Sequence, residues 1–205
     1  MATQKFMNLC EIKKDLILDV MLAEFMRTPY SEIRVSHLIK EAKISRASFY
    51  LYFEGKEDLF YCMLKREKEQ MISRVIEAFR KGRGEFCESM KQFAYSVVEA
   101  KVGAKYGRLY TQAMGNEECG RIVARVEKEF FNSCAWKKSG EDCYRVLDHI
   151  RYPKLDEEKL THAISIGVLI IEWASIQNYI GNIDIEKSKQ SVLRQLEILD
   201  YGIRA

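Results

Sequence analysis

The chain has 205 residues, 33 Lys/Arg against 30 Asp/Glu and 47% apolar residues, so it can bury a core unaided and does not need its 6 cysteines as a disulfide framework. A net charge of +3 permits a polyanionic partner without demanding one, and residues 1–60 carry nine basic and nine acidic side chains, so attraction there must come from placement. Charged residues from Glu11 to Asp19 leave no secretory core, and the longest apolar run, Ile164 to Ile171, falls well short of the roughly 20 residues that span a bilayer. A cytoplasmic protein with reduced thiols and no membrane partner is expected.

Apolar residues recur at three- and four-residue steps between only 2 prolines, which predicts an all-α chain. A first helix is expected from Glu11 to Met26, its inner face carrying Ile12, Leu16, Asp19, Val20 and Ala23, with Ile17 and Leu22 alongside. Thr28 and Pro29 end it, because proline disfavours helical geometry in the residue before it. Val35, Leu38, Ile39 and Ala42 form one apolar stripe on a short second helix. Lys43-Ile44-Ser45 makes a tight turn, and Ser45 is placed to cap a third helix from Arg46 to about Tyr52. Gly55 breaks the chain again, and Glu57 and Asp58 suit the positive end of a long fourth helix reaching about Arg80.

After the break at Lys81-Gly82-Arg83-Gly84, helices are expected over Glu85–Lys101, Tyr106–Met114, Glu118–Trp136, Asp142–Ile150, Asp156–Ile180 and Ile185–Tyr201. The organisation is then a three-helix head, residues 1–56, and a larger helical body, residues 57–205.

Two short helices joined by a tight turn, the second too short to stand alone, form a helix-turn-helix arrangement. Ile44, Phe49 and Phe53 can pack inward. Arg46, Ala47, Ser48, Tyr50 and Tyr52 include the side chains free to face a major groove. Arg46 offers a fork for guanine or phosphate, Ala47 a methyl-sized contact for thymine, and Ser48 a hydroxyl that fits either.

The stretch from Val35 to Phe53, ending Tyr50-Leu51-Tyr52-Phe53 and followed by Gly55-Lys56-Glu57-Asp58-Leu59, resembles the helix-turn-helix signature of the tetracycline-repressor (TetR) family. The resemblance covers Lys14 to Leu59. It implies a DNA-contacting set of Ser36, Ser45, Arg46, Ala47, Ser48, Tyr50, Leu51, Tyr52 and Lys56. Tyr50 and Lys56 would hold backbone phosphates, and Arg46, Ala47, Leu51 and Tyr52 would lie closest to base edges. Two departures stand out: Lys43 occupies a turn position where the family usually has glycine, and Arg34 stands where it usually has threonine. A left-handed backbone at Lys43 would cost about 1 kcal/mol or more.

The resemblance also implies a body that encloses a small organic effector, for which Phe93, Tyr106, Tyr110, Phe130 and Trp173 are the candidate lining residues. The last two helices carry Leu160, Ala163, Ile164, Gly167, Ile171, Ala174 and Ile180, then Val192, Leu196 and Leu199, more apolar face than one partner helix covers. A four-helix bundle across a two-fold axis would bury it, giving the paired heads of a homodimer on a palindromic operator.

Cys143, Asp148 and His149 lack metal-ligand spacing, and neither a phosphate loop nor a nucleophile elbow is present, so no metal, cofactor or catalytic group is expected. The expected function is a non-enzymatic DNA-binding regulator, a repressor released by an effector. The alternatives are a redox or metal sensor using the scattered cysteines, and a DNA-binding adaptor that recruits a protein.

Overall fold

The computed structural model describes residues 2–99, 102–181 and 184–204, less the side chains at 98, 99, 102, 103, 106 and 185. Among the described residues there are eleven α-helices and no strand: α1 (Gln4–Met7), α2 (Glu11–Arg27), α3 (Val35–Glu41), α4 (Arg46–Tyr52), α5 (Lys56–Lys81), α6 (Phe86–Glu99), α7 (Val102–Gly115), α8 (Glu117–Phe131), α9 (Cys134–Tyr144), α10 (Glu157–Ile180) and α11 (Ile185–Arg204). The all-α expectation holds, with three corrections to the elements. Helix α1 lies where none was expected. The single helix expected over Glu118–Trp136 ends at Phe131, because the Ser133 side chain accepts the Trp136 amide at 3.0 Å and starts α9 instead. The residues after Tyr144, expected to be helical to Ile150, are mostly turn.

The chain forms two compact units, Met1–Lys68 with Gln112–Lys128, and Glu69–Thr111 with Glu129–Ala205. In the first unit, α2 buries Ile17, Leu18, Met21 and Phe25, whereas Ile12 is 84% exposed and Leu16 is exposed as well. This reverses the face expected from the sequence. Helix α2 carries two apolar stripes at helical spacing, and the one holding Met21 and Phe25 has more apolar surface to remove from water. Phe25 meets Phe60 of α5 at 4.8 Å between ring centroids, and Tyr30 meets the same ring at 4.9 Å. Gln112 belongs to this unit too: its side-chain oxygen accepts the Tyr30 amide at 3.1 Å.

The second unit is built around Phe79, Phe86, Met90, Phe93, Trp136, Ile164 and Val168. Tyr152 ties its ends: the hydroxyl donates to Asp200 at 2.6 Å and accepts the Phe86 amide at 2.9 Å, while Arg204 pairs with Asp200. A Cβ at Gly167 would sit 2.8 Å from the end of Met90, so this glycine lets α10 approach α6. Helix α10, at 24 residues, is long and apolar enough to cross a bilayer by length and composition, more so than the Ile164–Ile171 run suggested. One side of it, Leu160 through Ile171, is instead buried in the core of this unit.

Candidate nucleic-acid interface

Four local features position α4. The turn after α3 is closed by Lys43 in the left-handed region, φ 51°, the strained geometry expected where the related motif has glycine. Ser45 then caps the helix, its side-chain oxygen accepting the Ser48 amide at 2.9 Å, with the two serine hydroxyls also 2.9 Å apart. Phe49 and Phe53 bury completely beneath the helix and fix its roll. At the far end, the Thr3 amide donates to the Tyr52 carbonyl at 2.9 Å and its hydroxyl to the Leu51 carbonyl at 2.7 Å, satisfying carbonyls that a helix terminus leaves open.

The roll of α4 sorts the expected contact residues. Arg46, Ala47, Tyr50 and Leu51 lie exposed at i, i+1, i+4 and i+5, one outward face, with Ser45 beside them and Ser48 half-buried at the edge. The Arg46 guanidinium lies 5.6 Å from the Tyr50 ring centroid, which holds a cation and a phenol together on that face. Tyr52, expected near base edges, is only 7% exposed. It packs against Phe6 of α1 at 6.1 Å, so its ring cannot reach a base. Tyr52 follows Phe49 by three residues, the spacing of a shared inner face, and that signal was legible in the sequence.

Ser36 is exposed near the start of α3. Lys56 opens α5 partly exposed, its ammonium donating to the Tyr30 carbonyl at 2.9 Å and lying 4.5 Å from the Tyr30 ring. An ammonium has three donors, so one bond to a carbonyl leaves capacity for a phosphate. Sequence reasoning gave no role to Arg34 and Lys40, which are exposed at the two ends of α3 as Lys43 is in the turn after it. It also missed Thr3 and Phe6, because a four-residue helix has no periodicity to read.

Glu24 fixes α3 on α2. Its carboxylate is buried and accepts from Arg27 at 2.7 Å and the Thr28 hydroxyl at 2.9 Å, with His37 Nδ1 at 3.1 Å. Burial alone would push this carboxyl up, but the hydrogen bonds from Arg27 and Thr28 and the positive charges of His37 and Arg27 together hold it below its ordinary value. A folded-state pKa below the unfolded one stabilises the head at neutral pH, and that contribution fades as pH falls through the folded value.

The expected effector residues do not gather at one cavity. Phe93 and Phe130 are buried in the closed core of the second unit, Phe130 against Trp136 at 4.9 Å. Trp173 is 49% exposed, with Tyr110 edge-on to it at 5.8 Å, and the side chain of Tyr106 lies outside the described residues.

Residues 17–61 match the family model of the bacterial regulatory proteins, tetR family. Over 126 residues the chain is 29% identical to the uncharacterized HTH-type transcriptional regulator YuxN of Bacillus subtilis (strain 168). That match covers 58% of this chain and 43% of the relative, so the chain matches less than half of the relative's length. Among solved structures, a protein assigned as a TetR-family transcriptional regulator from Syntrophomonas wolfei superposes with a TM-score of 0.66 at 16% identity, covering 94% of this chain and 97% of the other. A protein assigned as a transcriptional regulator from Pseudomonas aeruginosa PAO1 superposes with a TM-score of 0.59 at 13% identity, covering 98% and 94%. At these identities the two structures establish a shared fold.

Proposed function

We propose that this chain, whose head is a helix-turn-helix domain of the tetR family of bacterial regulatory proteins, is a cytoplasmic, non-enzymatic repressor that binds operator DNA as a homodimer and leaves it when a small effector binds the body. The observation that carries this reading is the outward row of Arg46, Ala47, Tyr50 and Leu51 on a capped helix. Arg46 and Ala47, at the start of α4, would read base edges. Tyr50, Lys56, Ser36, Ser45 and Ser48 would hold the flanking backbone and fix register.

Functionally the division lies near residue 56, with residues 57–205 serving dimerisation and effector binding. The dimer face differs from the one expected from the sequence: Leu160, Ala163, Ile164, Gly167, Ile171 and Leu196 are core. Ile166, Leu169 and Trp173 of α10, at i, i+3 and i+7, stand exposed instead, as do Ile198 and Tyr201 of α11. An exposed apolar row of this kind favours burial against a second copy, and two heads suit a palindromic site. An effector acts by binding one arrangement of the dimer better than the other.

Burial pushes the Cys119 and Cys143 thiols up to about 11 and about 12, which leaves these two almost no reactive thiolate at neutral pH and disfavours a sensor built on them.

Selection of duplexes from random DNA by the purified protein, followed by fluorescence anisotropy on the enriched sequence, tests the reading. A palindromic consensus bound by two chains per duplex is expected. Enrichment of no sequence at all would refute it.

A further inference from the structure

We propose that a groove of the second unit, between α6, α10 and α11, binds a small monocarboxylate with an apolar body of about six to eight carbons, and that this is the effector. The inference rests on the operator-binding reading only for the word effector. The site itself stands on its own geometry.

The groove has a volume of about 140 Å³, close to the ~150 Å³ of an apolar cavity that takes up benzene. Its floor is aliphatic, formed by Ala94 of α6, Ile171 and Ala174 of α10, and Val192 and Leu196 of α11. Ala94 and Ala174 in the lining leave space that larger side chains would fill, and Ile171 and Leu196 are buried. The site is therefore shaped for an apolar guest.

The charge at its mouth selects the head group. Lys91 and Lys189 both line the groove, and no carboxylate does. Lys189 is paired with Glu186 at 2.7 Å, whereas Lys91 forms no ion pair among the described residues. An unpaired ammonium at the rim of an aliphatic groove is complementary to one anionic group attached to an apolar body. Ser175, Asn178 and Ser188 add hydroxyl and amide groups that can hold the second carboxylate oxygen or its water.

The groove also lies apart from the proposed dimer face. Ile171, Ser175 and Asn178 form a row on α10 separate from Ile166, Leu169 and Trp173, so a second copy seated on the latter row leaves the groove accessible.

Titration calorimetry on the intact protein with sodium octanoate, 1-octanol and octylamine tests the proposal. Octanoate is expected to bind at least about tenfold more tightly than the alcohol, with no measurable binding of the amine. Lys91→Ala is expected to erase most of that advantage and leave alcohol binding unchanged, Lys91→Arg to retain it, and Ala174→Phe to remove binding of both. Equal affinity for octanoate and octanol, tighter binding of octylamine, or octanoate affinity untouched by Ala174→Phe overturns the site. Anisotropy on the selected duplex, run with and without octanoate, separates the two claims. DNA binding by a protein indifferent to octanoate sinks the groove alone, and octanoate binding by a protein indifferent to DNA sinks the operator reading alone. Octanoate binding that leaves DNA affinity unchanged removes its role as effector.

Discussion

Helix α4 and helix α10 are governed by different physics. The first has seven residues and is set in place by a few special ones: Lys43 closing the turn, Ser45 capping the start, Phe49 and Phe53 fixing the roll. The second has 24 residues and is apolar on more than one face through its middle, with Ile164, Val168 and Ile171 buried while Ile166, Leu169 and Trp173 face outward. Where polar and apolar positions are sharply divided, sequence decides the outward face. Where apolar residues occupy several faces at once, as between Ile164 and Trp173, only packing decides which are buried, and a surplus apolar face stays exposed.

The largest expected effect tests the first half of that contrast. Phe53 is fully buried between Phe6, Phe49 and Tyr52, so Phe53→Ala should cost about 3–5 kcal/mol of head stability and abolish DNA binding. Denaturant unfolding followed by near-UV circular dichroism reads the loss. A cost under about 1 kcal/mol would mean that α4 is held by something other than its inner ring cluster.

The second half is tested by Leu169→Glu. The side chain is exposed in the single chain, so monomer stability should change by no more than about 0.5 kcal/mol. Buried in a dimer, the same carboxylate should weaken association by roughly 2–3 kcal/mol, about a hundredfold. Sedimentation at micromolar concentration separates the two, and an unchanged dimer would place the interface elsewhere.

The same contrast explains what the sequence disclosed. Ser45 as a cap, the strain at Lys43 and the exposure of Arg46, Ala47 and Tyr50 were all legible, because each depends on neighbours a few residues away. The inner face of α2 was not, since Ile12 with Leu16 and Ile17 with Met21 both repeat at helical spacing and the choice rests on Phe60, far along the chain. For Tyr52 the spacing to Phe49 points inward, but its cover, Phe6, belongs to a helix too short to show a period. The apolar residues of α10 and α11 were recognised as more than one layer can use, but the layer expected to face a partner is the one buried in the chain's own core.

A smaller effect concerns readout. Arg46 is exposed at the first position of α4, so Arg46→Ala should lower affinity for the selected duplex by about 1–2 kcal/mol and relax preference at one base pair per half-site. Tyr50→Ala should instead weaken binding evenly across sequences. Competition anisotropy against single-base variants distinguishes them, and an even loss for Arg46→Ala would reassign the guanidinium to a phosphate.

The smallest effect is the most diagnostic of how this head balances stability against binding. Lys43 sits at φ 51°, a conformation that costs a non-glycine residue about 1–2 kcal/mol, and glycine would remove that cost. Glycine also frees the unfolded chain, which takes back about 0.4–1 kcal/mol, so Lys43→Gly should raise stability by a net of roughly 0.5–1 kcal/mol. If the lysine served only to close the turn, DNA affinity would follow stability or stay constant. Its side chain is exposed one residue beyond the end of the α3 cap, beside the start of α4, where an ammonium can meet the phosphate backbone. Lys43→Gly should therefore bind the selected duplex more weakly while melting higher, and its salt dependence should fall by about one counterion per head. A variant that melts lower than the parent would show that the left-handed turn is not strained, and one that binds with an unchanged salt slope would show that the lysine meets no phosphate.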